Sequence, residues 1–214
     1  MRRTTAQAFT LVELLIVIAL LGVIATIVIA AINPIEQANR ANDAGQKADS
    51  SQIVSAIQRY YASHNTYPWQ VVDAANYSSS GVSFGFITAA NVDVGLCGGV
   101  VGHTDCTTDG ELITSAELQN TFRSRTFIST TSSDGMLYVG KGPGSSSSVF
   151  TCWVPKALSN RQTSIANKRV IDLSAGFVNG LPVPTANCDA GPAAPDWTPD
   201  AAPAMPKCAE CVPE

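Results

Sequence analysis

The chain has 214 residues, of which 45% are hydrophobic and only 14% charged, with 13 basic against 17 acidic side chains and a net charge of −4. The acidic balance offers no electrostatic footprint for nucleic acid, and so low a charged fraction is unlike a cytosolic protein. Six cysteines, an even number all lying beyond residue 96, suit disulfides in an oxidising compartment.

Residues Phe9 to Ile32 form an apolar run in which Glu13 is the single charged residue. As a helix this run would be about 36 Å long, enough for the roughly 30 Å hydrocarbon core of a bilayer. It exceeds the apolar stretch of about 7 to 15 residues that a cleaved secretory signal needs. Within a span, a carboxylate costs about 2.5 to 3.5 kcal/mol at mid-depth and less near the interface. Two readings follow for Glu13: solvation at headgroup level, or a cation supplied by another protein chain. Arg2 and Arg3 precede the run, whereas Glu36, Arg40, Asp43, Lys47 and Asp49 of mixed sign follow it. That asymmetry predicts a cytoplasmic N-terminus and an exported remainder.

The segment from Ala8 to Ala19, Ala-Phe-Thr-Leu-Val-Glu-Leu-Leu-Ile-Val-Ile-Ala, resembles the processing and assembly signature of bacterial type IV pilins and type II secretion pseudopilins. The resemblance implies a leader, residues 1–8, removed by a prepilin peptidase that cuts between Ala8 and Phe9 and N-methylates Phe9. It implies that Glu13 pairs with the terminal amine of a neighbouring subunit, so that assembly and satisfaction of a buried charge coincide. The residue before the cut is usually Gly in this family and here is Ala8, the next smallest side chain. Loss of the leader would leave 11 basic against 17 acidic residues, a net charge of −6. The implied partners are other pilin-like subunits in a homo- or heteropolymer, the prepilin peptidase, an inner-membrane assembly platform, and membrane lipid before assembly. The implied location is the inner, cytoplasmic membrane in a single pass, then an extracytoplasmic filament or the cell surface.

Beyond the transmembrane and assembly helix, residues 9–32, a stripe of Ile35, Ala38, Ala41, Ile53, Ile57, Tyr60 and Tyr61 continues at helical spacing. One helix to about Ser63 is predicted, membrane-spanning in its first half and amphipathic in its second, with bends at Gly22 and Pro34 and a softer point at Gly45. It ends before Pro68, because the residue preceding a proline avoids helical angles. Residues 69–113 read as an irregular loop stapled by cysteines. Thr114 followed by Glu117 has capping-box spacing and predicts a short helix from about Ser115 to Ser124.

A β-hairpin is predicted from Met136–Gly140 and Val149–Val154, joined by a turn through Gly140-Lys141-Gly142-Pro143-Gly144, with a further strand at Val170–Leu173. Packed on the amphipathic stripe, these strands give the expected fold class: α+β, a long N-terminal helix against a small antiparallel sheet, pilin-like. The head would cover residues 33–181. The stretch 182–214 holds eight of the twelve prolines and is expected to wrap the head under disulfide restraint or stay mobile. Six cysteines allow fifteen connectivities. The pairing expected is Cys97 with Cys106, Cys152 with Cys188, and Cys208 with Cys211. A zinc site at Cys208 and Cys211 would need two further ligands that the spacing does not supply.

Catalytic chemistry finds no constellation: His64 and His103 are the only histidines, and neither has a nucleophile near it in sequence, so no enzyme, cofactor or metal is expected. Asp105, Asp109 and Glu111 read as a solvated acidic loop, since the spacing of a calcium loop is absent. Arg123 with Arg125, and Arg161 with Lys168 and Arg169, are the only candidates for a basic face. The primary functional reading is a structural filament subunit, of pilus or pseudopilus. The alternatives are a minor tip subunit acting as a binding module in adhesion or DNA uptake, and a simple single-pass anchored surface protein.

Overall fold

The computed structural model describes residues 9–101, 106–185, 188, 197 and 205–213. Met1 to Ala8, His103, Asp105 and most of the tail between 186 and 204 lie outside the described residues, so the readings placed on them have no structural counterpart. Two compact units are distinguished, one up to Ala38 and one from Asn39 onward.

In the first unit, α1 (Leu11–Ala31) runs without interruption through Gly22, and Ile32 leaves the helix with φ −98° and ψ 117° while its N–H still donates to the Val28 carbonyl. A new helix, α2 (Pro34–His64), then begins. The one helix expected to about Ser63 is therefore two, separated at Ile32 and Asn33. The reason is local. The side chain of Asn33 accepts the Glu36 N–H at 3.2 Å, and Pro34 occupies the first helical position, where its missing donor is no loss. Asn-Pro-x-Glu is a helix start, and Pro34 starts a helix instead of bending one.

The second unit carries the rest of α2, whose buried face is Asp43, Ser50, Ile53, Val54, Ala56, Ile57 and Tyr60. The early part of the expected stripe is not covered, Ile35 being 72% exposed. After α2 come α3 (Pro68–Val72) and β1 (Phe84–Thr88), linked to the end of α2 by a column of stacked rings, Tyr61 on Tyr67, Tyr67 on Trp69 and Trp69 on Phe84, at 4.2 to 4.7 Å. A two-stranded ribbon of β2 (Cys97–Gly98) and β3 (Thr108–Asp109) and a single turn, α4 (Glu111–Thr114), follow. Gly95, at φ +86°, lets the chain pass Pro68 where any Cβ would lie 2.7 Å from that ring. The described residues of 69–113 thus carry more regular structure than the irregular loop expected.

The short helix predicted from Ser115 to Ser124 is absent. Thr114 ends α4, Ala116 takes φ +60°, and a 3-10 turn, Asn120–Ser124, leads to α5 (Thr126–Ser129). Glu117 is engaged elsewhere, 2.8 Å from the Arg59 Nε on α2, so it is unavailable as the back-bonding half of a capping box.

β4 (Leu137–Lys141) and β5 (Val149–Trp153) form the hairpin expected, within one residue of its predicted bounds. α6 (Leu158–Ala166), the small hairpin of β6 (Phe177–Val178) and β7 (Leu181–Pro182), and β8 (Glu210–Val212) complete the chain. The expected strand Val170–Leu173 is reduced to bridges from Ile171 to Pro184 and Ala209. The main sheet is antiparallel in the order β1-β4-β5-β8. The tail therefore contributes a strand, a correction to its reading as a mere wrap.

Strand alternation divides two cores. Leu137, Val139, Val149, Trp153 and Val212 share a core with Ile53 and Ile57 of α2. Tyr138, Phe150 and Cys152 face the other way, covered by Leu173, Ala209 and Cys211. A long helix with an antiparallel sheet is the α+β architecture expected.

Three disulfides join Cys97 to Cys106, Cys152 to Cys211 and Cys188 to Cys208. The first is the pairing expected. The other two replace Cys152 with Cys188 and Cys208 with Cys211. The sheet decides this: Cys152 and Cys211 are direct register partners across β5 and β8, whereas Cys208 lies in a bend before β8 and packs in a different apolar cluster from Cys211.

Candidate assembly segment and the charged sites of the head

Thr10 is the N-cap of α1, and Glu13 is the third residue of that helix. The Thr10 N–H and hydroxyl both donate to Glu13 Oε2, at 2.9 and 2.8 Å, and Thr10 Oγ1 accepts the Glu13 N–H at 3.3 Å. This is a capping box, in which two orphan donors of a helix start are satisfied reciprocally. The carboxylate also lies at the positive end of the helix dipole. Sequence reasoning sought the partner of Glu13 in another chain and missed the one three residues away, although Thr-x-x-Glu before an apolar run is its signature.

Leu11–Ile29 is long and apolar enough to cross a membrane, with a mean hydropathy of 3.0 over 19 residues, none of them buried. Leu11 at 83% and Ile29 at 68% show how little of this surface the chain itself covers. Thr26 hides its hydroxyl by donating to the Val23 carbonyl at 2.7 Å, so Glu13 and Thr26 both satisfy polar groups within the helix, as a span requires.

A family model described as a prokaryotic N-terminal methylation motif matches residues 3–29. The chain carries the prepilin-type signal. This motif is that of type IV pilins and pseudopilins, which are substrates of prepilin peptidases and assemble with other pilin-like subunits. It points to a structural subunit, not to an enzyme family, and the exposed helix that it covers fits a membrane-anchored pilin before assembly. No curated protein and no solved structure matches the chain.

In the head, the charges singled out by sequence are mostly committed. Arg123 pairs with Asp109 at 2.8 Å, and Arg125 lies 3.7 Å from Asp49. Arg161 is buried, its Nε donating to the Pro155 carbonyl and its guanidinium lying 5.2 Å over the Trp197 ring. These arginines form no common basic face. Glu111 lies within 3.4 Å of the Tyr60 hydroxyl, and His64 stacks on the same Tyr60 ring at 4.2 Å. Among the described residues no group of three or more His, Cys, Asp or Glu is placed to hold a metal ion.

Among the buried charges that escaped sequence reasoning are Asp43 and Lys141. Asp43 on α2 accepts the backbone N–H groups of Lys156 and Ala157, at 2.7 and 3.0 Å, and the Asn160 side-chain amide at 2.7 Å. It caps the start of α6 from another helix. Lys141, fully buried, donates to the carbonyls of Ser80, Gly142 and Gly144 at 2.7 to 3.1 Å and lies 5.4 Å over the Tyr67 ring. Burial pushes its pKa down. Gly140 and Lys141 end β4 and the connecting turn starts at Gly142, a residue range shorter than the turn expected, with Lys141 holding the surrounding loops.

Proposed function

We propose that the chain is a structural subunit of a type IV pilus-like or pseudopilus filament, cut between Ala8 and Phe9, N-methylated on Phe9, and assembled through residues 9–32. One observation carries this reading: the methylation motif coincides with a helix whose apolar side chains from Leu11 to Ile29 are uncovered. A surface of that kind requires lipid before assembly and neighbouring helices after it.

Glu13 acts in two stages. Within the membrane its carboxylate is held by Thr10; in the fibre the amine of a neighbouring Phe9 replaces or joins that contact, and the pair is worth most in the low dielectric between packed helices. The head, stapled by three disulfides, is the exported part and the N-terminus remains cytoplasmic until extraction. The deciding experiment is intact-mass analysis of the protein from its native host. Loss of Met1 to Ala8 with one methyl group on Phe9 is expected, and a mature chain that still begins at Met1 would overturn the reading.

A further inference from the structure

Asp43 and Gln46 fix one end of α2 against the sheet. Asp43 accepts the Lys156 and Ala157 N–H groups just past β5, and Gln46 Nε2 donates to the Asp134 carbonyl at 3.4 Å, just before β4. Leu137 and Trp153 are register partners at that end of the hairpin. One turn beyond Gln46, Ser50 leads into Ile53 and the core that Ile53 shares with Leu137, Val139 and Trp153. Thr151 points from β5 into the same core, as its position between Val149 and Trp153 requires, with Val139 and Val212 as its register partners on either side.

Four buried polar atoms line this seam without a hydrogen-bond partner among the described residues: Gln46 Oε1 and Ser50 Oγ from α2, Thr151 Oγ1 and Trp153 Nε1 from β5. Ser50 and Thr151 are wholly buried. The serine is informative. Ser51 and Ser55, exposed on α2, each turn the hydroxyl back to the carbonyl four residues earlier, at 2.9 and 2.8 Å, the usual recourse of a helical serine. Ser50, on the face of α2 that meets the sheet, makes no such bond. Buried groups left in this condition carry their full desolvation penalty, and four along one seam call for a shared partner.

The chemistry of the four atoms identifies that partner. An indole N–H only donates, an amide oxygen only accepts, and a hydroxyl does both; the Gln46 nitrogen is already committed to Asp134, so its oxygen is the end that faces the seam. Water is the small neutral molecule that donates and accepts at once. We propose that the seam between α2 and β5 holds ordered water, which accepts from the Trp153 indole, donates to the Gln46 amide oxygen and bridges the Ser50 and Thr151 hydroxyls, joining helix to sheet. α2 is then docked in two ways, through polar and water-bridged contacts from Asp43 to Ser50 and through dry apolar packing from Ile53 to Tyr60. The proposal does not rest on the filament reading.

The test uses the full, oxidised chain in detergent. The Trp153 indole N–H resonance, assigned through Trp153→Phe, is expected to show a nuclear Overhauser cross-peak to a long-lived water. Thr151→Val keeps the shape of the side chain and removes its hydroxyl; it should lower the chemical-denaturation midpoint and erase most of that cross-peak, whereas Thr151→Ser should keep the cross-peak. Combined with Ser50→Ala, it should cost less than the two single losses summed, because both act on one bridge. A hydroxyl with no bridge predicts the opposite sign, since replacing it by a methyl group relieves an unmet polar burial and raises the midpoint. A raised or unchanged midpoint in Thr151→Val, a wild-type indole without the water cross-peak, a cross-peak indifferent to loss of the hydroxyl, or additive losses in the double variant would each overturn the proposal.

Discussion

Thr10 and Glu13 hold each other at the start of α1, the carboxylate accepting from both the backbone and the hydroxyl of the threonine. Charge and cap therefore reside in one side chain, and substitutions can separate them. Glu13→Gln keeps a capping-box side chain and removes the charge, whereas Glu13→Ala removes both. If pairing with a neighbour's amine drives assembly, Gln should fail in filament formation as fully as Ala while inserting normally into the membrane. Filament yield and membrane fractionation read the two effects, and wild-type filaments from the Gln variant would show that only the cap is needed. Thr10→Val should keep the charge but speed amide hydrogen exchange at Val12 and Glu13 in the membrane-bound chain.

Asp43 supports α6 from a distant part of the sequence, so its loss should be felt in the head. Asp43→Ala strands two backbone donors and one amide, with an expected destabilisation of about 1–3 kcal/mol. Chemical denaturation of the oxidised, full-length chain measures it. In a double-mutant cycle with Asn160→Ala, a coupling of about 0.5 kcal/mol or more is expected, since the two side chains meet at 2.7 Å; additive effects would show that the amide contact is idle.

How far the sequence disclosed this molecule depends on the range of each signal. The apolar run and the β4–β5 hairpin were legible because their patterns are long and local. The helix start at Asn33-Pro34-Ile35-Glu36 and the Thr10–Glu13 box are equally local, but each carries a competing signal: a proline also breaks helices, and a carboxylate in an apolar run also suits a distant cation. Asn179-Gly180, both at positive φ, likewise announces the two-residue turn of the β6–β7 hairpin. Other features had no local signal. β8 is three residues inside a Pro-rich tail and is a strand only because β5 offers it an edge. Asp43 and its α6 donors are 113 to 117 residues apart, and no spacing rule joins them. Thr114 and Glu117 fit a rule, but Arg59 competes for the glutamate and wins.

Alkaline pH should unfold the head through its buried tyrosines. Burial, and secondarily Asp134, pushes the Tyr138 hydroxyl up to about 12, against about 10 in an unfolded chain. The folded state thus retains a proton that the unfolded state has lost. Tyr138 contributes fully below pH 10, and the contribution disappears as pH rises through 12. Burial likewise raises Tyr60, Tyr67 and Tyr77. Lys141 acts in the opposite direction. Its lowered pKa makes stability rise with pH until its ordinary value of 10.5 is passed, after which only the tyrosine effect changes. The unfolding midpoint should therefore fall between pH 10.5 and 12, and Tyr138→Phe should flatten that fall. An unchanged slope in the variant would remove Tyr138 from the explanation.

The disulfides should differ in weight according to the chain they close. Cys152–Cys211 spans a sequence separation of 59 and Cys97–Cys106 one of 9. Loop-closure entropy assigns about 4 kcal/mol to the first and about 2.5 kcal/mol to the second. The longer bridge also pins β8 to β5, since its cysteines are register partners. Paired serine substitutions at 152 and 211 should thus lower the denaturation midpoint more than those at 97 and 106, and should raise amide exchange across Glu210–Val212 while leaving β1 and β4 protected. If the 97 and 106 pair proved the more damaging, chain entropy would not be the dominant contribution, and the packing of Cys97 in the α2-facing core would have to take its place.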